Sequence, residues 1–196
     1  MSLRYVAIGD SYTIGTAVTE TERFPNQLVA RLPGLELVAN LGVNGFTSDD
    51  VIRLELPQLA ALRPEVVTVL IGVNDVVQGV PVLAYRDNLV EILPKLVELV
   101  GAGRIVVVTI PDYTVTPQGA AFGDRQQQSA AIHESNEIMT ELASGLGITV
   151  VDIHDISLEA ARDRSLIAGD GLHPSGIQYA RWVDRIAPVV EATLAR

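Results

Sequence analysis

His173 is one of only three histidines in the chain, and Asp170 stands three residues before it across a turn that holds Gly171. So short an arc folds the carboxylate back onto the imidazole, where it binds Nδ1–H and leaves Nε2 free as a base. A carboxylate placed this way fixes the tautomer and stabilises the imidazolium that forms during proton transfer. Such a base needs a proton to remove. Ser11, in the run Gly9-Asp10-Ser11-Tyr12, offers a hydroxyl, a poor nucleophile until a neighbouring base takes its proton. An isolated Gly-Asp-Ser is more often a capped turn; the pairing with Asp170 and His173 shifts the weight toward chemistry. Acyl transfer also needs donors for the developing oxyanion. Gly45 offers an N–H that no side chain shields, Asn74 an uncharged NH2, and Ser11 its own N–H. Taken singly, Gly45 is a turn glycine and Asn74 an Asx-turn. Together they supply nucleophile, base, orienting acid and oxyanion donors.

These residues act together only if the fold gathers them. Short β-branched runs recur at Leu3–Ile8, Leu35–Ala39, Val66–Ile71, Arg104–Ile110 and Ile148–Asp152. Several are almost continuously apolar, as strands buried on both faces should be. Helix-length segments separate them: Phe24–Arg31, Ser48–Leu62 with a break at Pro57, Val82–Val100, Arg125–Leu146, and Pro174 to about Leu194. Pro94 and Pro188 predict a kink or a division in two of these, and Pro174 suits a first helical turn. The alternation implies βαβ units and a parallel sheet covered on both faces, an α/β three-layer sandwich in one domain over residues 1–196. In such a sheet ligands gather beyond the carboxyl ends of the strands. Gly9–Tyr12 follows the first strand, Asn40–Gly45 the second, Gly72–Asp75 the third and Pro111–Tyr113 the fourth. All should converge with Asp170–Pro174 on one rim. The one long connection of unassigned structure is Pro111–Asp124.

Four of these blocks, in this order and spanning residues 9–174, resemble the SGNH (GDSL) hydrolases. Gly9-Asp10-Ser11-Tyr12 resembles the first family block, Asn40–Gly45 the second, Gly72-Val73-Asn74-Asp75 the third and Asp170–Pro174 the last. The resemblance implies a flavodoxin-like α/β/α sandwich with a five-stranded parallel sheet. It also implies hydrolysis of carboxylic esters or thioesters without metal or cofactor, lysophospholipids and acetylated sugars included. On it Ser11 is the nucleophile, Asp170 and His173 the acid and base, and Ser11, Gly45 and Asn74 the oxyanion hole. Tyr12 replaces the leucine of the family signature and narrows the adjacent pocket. Gly42 competes with Gly45 in the second block; the offset from Asn40 selects Gly45. Proximity to the blocks makes Tyr12, Phe46, Val76, Val77, Tyr113 and Phe122 the expected substrate-facing residues.

Composition narrows the alternatives. Asp plus Glu is 24 against 14 Lys plus Arg, a formal charge of −10, which repels phosphate backbones and makes nucleic acid an unsuitable partner. The absence of cysteine excludes thiol catalysis, thiolate metal sites and disulfides. The apolar start before Gly9 is too short for a secretory core, and no run reaches the ~18 apolar residues of a membrane span. The expectation is therefore a cytoplasmic chain with a small-molecule ester as partner and no integral membrane segment. His133 reads as part of a solvated helix face. His154, between Asp152 and Asp155, reads as strand-end capping rather than a metal site, because one imidazole and two aspartates make a poor transition-metal set. Asp75 is assigned to loop support. The rival readings are a metallophosphoesterase, which wants more clustered histidines, and a non-catalytic ligand-binding module on the same fold. Neither Gly-x-Gly-x-x-Gly nor a Walker loop is present, which disfavours nucleotides.

Overall fold

Residues 2–194 are described by a computed structural model. Its strands, β1 (Leu3–Gly9), β2 (Leu35–Asn40), β3 (Val66–Leu70), β4 (Ile105–Val108) and β5 (Thr149–Val151), form one five-stranded sheet in the order β2-β1-β3-β4-β5. Every pairing is parallel. β1, β3 and β4 are interior strands, and Val6, Val67, Val69, Val106 and Val107 are fully buried. That burial explains their uninterrupted apolar sequences.

The helices lie on the two faces. They are α1 (Ser11–Ile14), α2 (Phe24–Arg31), α3 (Ser48–Asp50), α4 (Leu56–Leu62), α5 (Val73–Val77), α6 (Val82–Val100), α7 (Arg125–Gly145), α8 (His154–Glu159) and α9 (Gly176–Leu194). One face packs Phe24 and Leu28 of α2 against Tyr179, Trp182, Ile186 and Val190 of α9. The other packs Leu59 of α4, Tyr85, Leu89, Ile92 and Leu96 of α6, and Met139 of α7. The expected α/β/α layering is thus observed.

Three local expectations are corrected. Pro94 and Pro188 do not divide their helices; α6 and α9 each run unbroken through them. Both prolines are exposed, as are Val90 and Asp184 four residues before them, so the carbonyls that lose a helical donor face water. The break in the second helical segment falls before Pro57 rather than at it. Val51–Glu55 form a π turn, and Pro57 sits in the first turn of α4, where its missing N–H costs nothing. Pro174 lies outside α9: it forms an isolated antiparallel bridge with Ile167, which closes the loop that carries Asp170 and His173.

Candidate active site

β1 delivers Ser11. Gly9 ends the strand at φ +148°, where a Cβ would lie 2.1 Å from the Leu70 carbonyl oxygen, so only glycine permits this exit beside β3. Asp10 caps the next turn, its Oδ1 accepting the Tyr12 N–H at 2.9 Å. Ser11 is thereby the first residue of α1, almost wholly buried.

The opposite end of the chain delivers the base. Gly171 adopts φ +74° and lets the loop double back. Ala168 N–H donates to the His173 carbonyl at 2.7 Å and Ser175 N–H to the Leu166 carbonyl at 2.8 Å. Within this closed loop Asp170 Oδ1 accepts the N–H groups of Leu172 and His173, both at 3.0 Å, while Oδ2 meets His173 Nδ1 at 2.6 Å. His173 Nε2 then reaches Ser11 Oγ at 3.0 Å. The two ends are tied once more by Tyr179 of α9, whose hydroxyl donates to the Tyr12 carbonyl at 2.9 Å. Partial burial pushes the Asp170 carboxyl up, but the hydrogen bonds from the His173 ring and the two N–H groups outweigh it, and the net direction is down. Asp170 is held as a carboxylate facing Nδ1–H.

Asn74 lies in α5, which Gly72 opens at φ +131° directly after β3. Its side-chain NH2 donates one hydrogen to the Phe46 carbonyl at 2.9 Å, leaving a second for another acceptor. Four residues on, Gln78 Nε2 donates to the Gly45 carbonyl at 2.9 Å. The sequence reading missed Gln78, although the four-residue spacing puts it on the Asn74 face of a helical turn. Gly42 and Gly45 separate clearly. The Gly42 N–H is taken by Asn40 Oδ1 at 3.1 Å, and a Cβ there would lie 2.6 Å from both the Asp10 carbonyl oxygen and the Ile14 nitrogen. Gly45 is exposed at φ +83°, and among the described residues its N–H has no partner. Asn40 was also missed; its Nδ2 donates to the Thr13 carbonyl at 2.7 Å and so braces the turn that bears Ser11. Asp75 supports a loop as expected, accepting the Ser48 N–H at 3.0 Å and the Ser48 hydroxyl at 2.5 Å.

The expected substrate-facing residues are mostly packed. Tyr12 is 3% exposed, its ring stacks on Trp182 and lies 5.2 Å from the His173 ring, and with Tyr113 it lines a small recess next to His173. Tyr113 is also buried; its hydroxyl donates to Gln128 and its ring meets Phe122 edge-on. Val76, Val77 and Phe122 pack against the core, and Val76 lines a separate recess of about 210 Å3 with Val80, Tyr85 and Ala131. Phe46 is half-buried and holds its place through its carbonyl. Pro111–Asp124 carries two short 3-10 turns, and Gln118 N–H donates to the Gly171 carbonyl at 3.1 Å. The recess beside His173 that Tyr12, Tyr113 and Leu172 line amounts to about 10 Å3, room for no more than one water.

A wider recess, about 660 Å3, lies elsewhere, lined by Thr109, His133, Asn136, Glu137, Asp152 and His154 among others. His133 is exposed beside Glu137, as a solvated helix face should be. His154 begins α8, its N–H bonded by Asp152 Oδ1 at 2.9 Å. Among the described residues no group of three or more histidines and carboxylates is arranged to hold a metal ion, and no helix is long and apolar enough to cross a membrane.

With this geometry in view, the chain compares with known proteins as follows. The model of the GDSL-like lipase/acylhydrolase family matches residues 7–181. Among solved structures it is similar to a G-D-S-L family protein from Desulfitobacterium hafniense DCB-2 (TM-score 0.78, 20% identity, 96% of this chain and 99% of that one). It is also similar to TesA (0.76, 20%, 97% and 99%) and to the acetylxylan esterase Axe2 from Geobacillus stearothermophilus (0.70, 19%, 99% and 94%). At these identities the likeness establishes a shared fold. No curated protein sequence matches the chain.

Proposed function

This chain belongs to the GDSL-like lipase/acylhydrolase family, and from that premise we propose that it is a metal-independent serine hydrolase, folded as one domain, that cleaves carboxylic esters through an acyl-enzyme on Ser11. One observation carries the reading. Asp170 Oδ2, both ring nitrogens of His173 and Ser11 Oγ form a continuous relay with links of 2.6 and 3.0 Å. Both distances lie within the range a proton transfer needs.

In this mechanism Asp170 accepts Nδ1–H, which leaves the Nε2 lone pair directed at the Ser11 hydroxyl. His173 takes that proton as Ser11 Oγ bonds to the ester carbonyl carbon, and the carbonyl π electrons move onto oxygen. The oxyanion is met by the N–H groups of Ser11 and Gly45 and the free hydrogen of Asn74. Gln78 and Asn74 keep the 45–46 backbone at the right height by holding its carbonyls. The carbon–oxygen bond to the alcohol then breaks as His173 returns its proton to the leaving oxygen. Water deprotonated by His173 releases the acid by the same steps.

The likeness to an acetylxylan esterase supports a short acyl group such as acetate. Ser11→Ala should abolish turnover of an aryl acetate, and a fluorophosphonate should label the parent protein at Ser11 alone. Undiminished turnover in that variant, or label elsewhere, overturns the reading. A p-nitrophenyl series from acetate to palmitate, with an acetylated sugar as control, reads the acyl preference; palmitate outperforming acetate contradicts the short-acyl reading.

A further inference from the structure

Beneath the Ser11 turn lie two acidic side chains that the mechanism does not use. Asp10 and Glu55 are both 0% exposed. Each has one oxygen occupied by a backbone donor of this turn: Glu55 Oε2 accepts the Gly9 N–H at 2.9 Å, and Asp10 Oδ1 accepts the Tyr12 N–H. Each has a second oxygen, Glu55 Oε1 and Asp10 Oδ2, that is buried without a hydrogen-bond partner among the described residues.

The need for Glu55 follows from the sheet. On the β3 side Gly9 pairs with Leu70, but on the β2 side pairing ends at Ala7 with Asn40. The Gly9 N–H therefore lies beyond the last β2 residue, and the Glu55 carboxyl takes the place of a strand carbonyl. What brings it there is the π turn Val51–Glu55. Such turns are rare and concentrate at functional sites.

Two neighbouring carboxyl groups held this far from solvent carry a heavy desolvation penalty when ionised. The charged groups acting on them are themselves acidic: Asp75 on Asp10, and Asp10 and Asp50 on Glu55. Tyr12, Tyr85 and Tyr179, which feel the Asp10 charge, are fully buried or nearly so and are themselves pushed up. Arg53, on the same π turn, is engaged by Asp49 and Asp50 at the surface. Burial accordingly drives Asp10 up to about 8 and Glu55 to about 9.

We propose that Glu55 is a positioning residue for the nucleophile: its Oε2 stands in for a strand carbonyl on the Gly9 N–H and so fixes the direction in which Ser11 leaves β1, and mutual repulsion between Asp10 and Glu55, once both are ionised, displaces the turn they hold. The proposal rests on Ser11 being the nucleophile. It predicts that the rate declines at alkaline pH, because a second buried negative charge appears under the turn.

The test compares the parent protein with Glu55→Gln and Glu55→Leu on an aryl acetate from pH 6 to 10, with active sites counted by fluorophosphonate. The glutamine keeps an oxygen acceptor for Gly9 and carries no charge. It should retain kcat at pH 7 within about two-fold and lose the alkaline decline. The leucine fills the volume without an acceptor and should lower kcat about ten-fold or more with KM little changed, as a small misplacement of a reacting group does. An alkaline decline unchanged in Glu55→Gln, or a kcat unchanged in Glu55→Leu, overturns the proposal. Infrared spectra supply a readout independent of turnover: the carbonyl band of a protonated buried carboxyl should be present in the parent at pH 7 and weakened in Glu55→Gln. Its absence from the parent also overturns the proposal. If Glu55→Leu does not fold, the glutamine profile and the infrared band decide. Failure of the serine-hydrolase reading looks different: the phosphonate leaves Ser11 unlabelled, and the infrared band still judges Glu55.

Discussion

Two places in this molecule bring a histidine, an aspartate and serines together, and only one has the geometry of a relay. At the rim over β1, Asp170 spends one oxygen on backbone N–H groups and turns the other to His173 Nδ1 at 2.6 Å, so that Nε2 meets Ser11. Beyond β4 and β5, Asp112 spends Oδ1 on the N–H and hydroxyl of Thr114 and Oδ2 on the hydroxyl of Ser129. His154 Nε2 stands 3.9 Å from that carboxylate, too far for a hydrogen bond, and is buried without a partner. Ser157 is engaged on both sides, accepting the Asp112 N–H and donating to the His154 carbonyl. The same residue types thus build a continuous hydrogen-bonded relay in one region and a brace in the other. The wide recess borders the brace, and the recess at His173 is small. Volume alone would have pointed to His154.

The largest effects separate the two regions. Ser11→Ala or His173→Ala should lower kcat by about 10^4- to 10^6-fold, the loss typical when members of such a relay are removed. Ser157→Ala and His154→Ala should leave kcat within about two-fold; Ser157→Ala should instead cost about 1–3 kcal/mol of stability, since it strands the Asp112 N–H. Steady-state kinetics with urea unfolding reads both, and a His154→Ala variant as dead as His173→Ala would erase the distinction. Next comes Asp170→Asn, expected to cost up to about 10^4-fold through the wrong imidazole tautomer. Its pH–rate profile should show no compensating recovery at high pH.

The difference in legibility between the regions has physical causes. The places of Ser11, Asp170 and His173 could be read from sequence because each follows or lies in a sharp turn, and those turns are written in Gly9 and Gly171; Asn74 likewise follows Gly72. Layering follows from the alternation of apolar runs with helix-length segments and from the handedness of crossovers. Side-chain direction is not encoded so locally. Tyr12 and Tyr113 flank the motifs in sequence, yet both turn inward, Tyr12 onto Trp182 far away in the chain and Tyr113 onto Phe122 of its own connection. Glu55 reads as one more acidic residue on a helix. Its burial depends on a π turn, and propensity rules carry no signal for that. Pro94 and Pro188 stand in undivided helices where the residues four before them are exposed, so that water takes the carbonyls that lose a helical donor.

A middle range of effects tests the oxyanion donors. Asn74→Ala should reduce kcat by about 10²–10³-fold, with phosphonate labelling of Ser11 slowed to a similar degree. Because Asn74 also grips the Phe46 carbonyl, the loss could come from a displaced loop. Gln78→Ala separates the two effects, since it frees the Gly45 carbonyl but leaves the Asn74 amide in place. It should cost only about three- to ten-fold. Equal losses in the two variants would assign the effect to loop position and take the donor role from Asn74.

The smallest effect on rate divides the regions by stability. Asp10 and Glu55 titrate near 8 and 9 in the folded chain, well above the ordinary carboxylate range near 4. For a group raised in this way the folded state keeps a proton that the unfolded chain has released. Its stabilising contribution is complete below about pH 4 and drains away as pH climbs through about 8 to 9. Asp155, which Arg185 holds below its ordinary value, acts in the opposite sense, with stability lost as pH falls, but it sits at the surface where solvent screens it. The Tm should therefore fall between pH 5 and pH 9. Glu55→Gln should flatten that fall by up to about 1 kcal/mol per pH unit, because only one ionisable carboxyl then remains under the turn. Asp112→Ala, on the brace, strips acceptors from Thr114 and Ser129 and should lower Tm at pH 7. Thermal melts of the three proteins at pH 5, 7 and 9 decide it: a Glu55→Gln curve parallel to the parent's would mean that the carboxyl under Ser11 is no more costly than one at the surface.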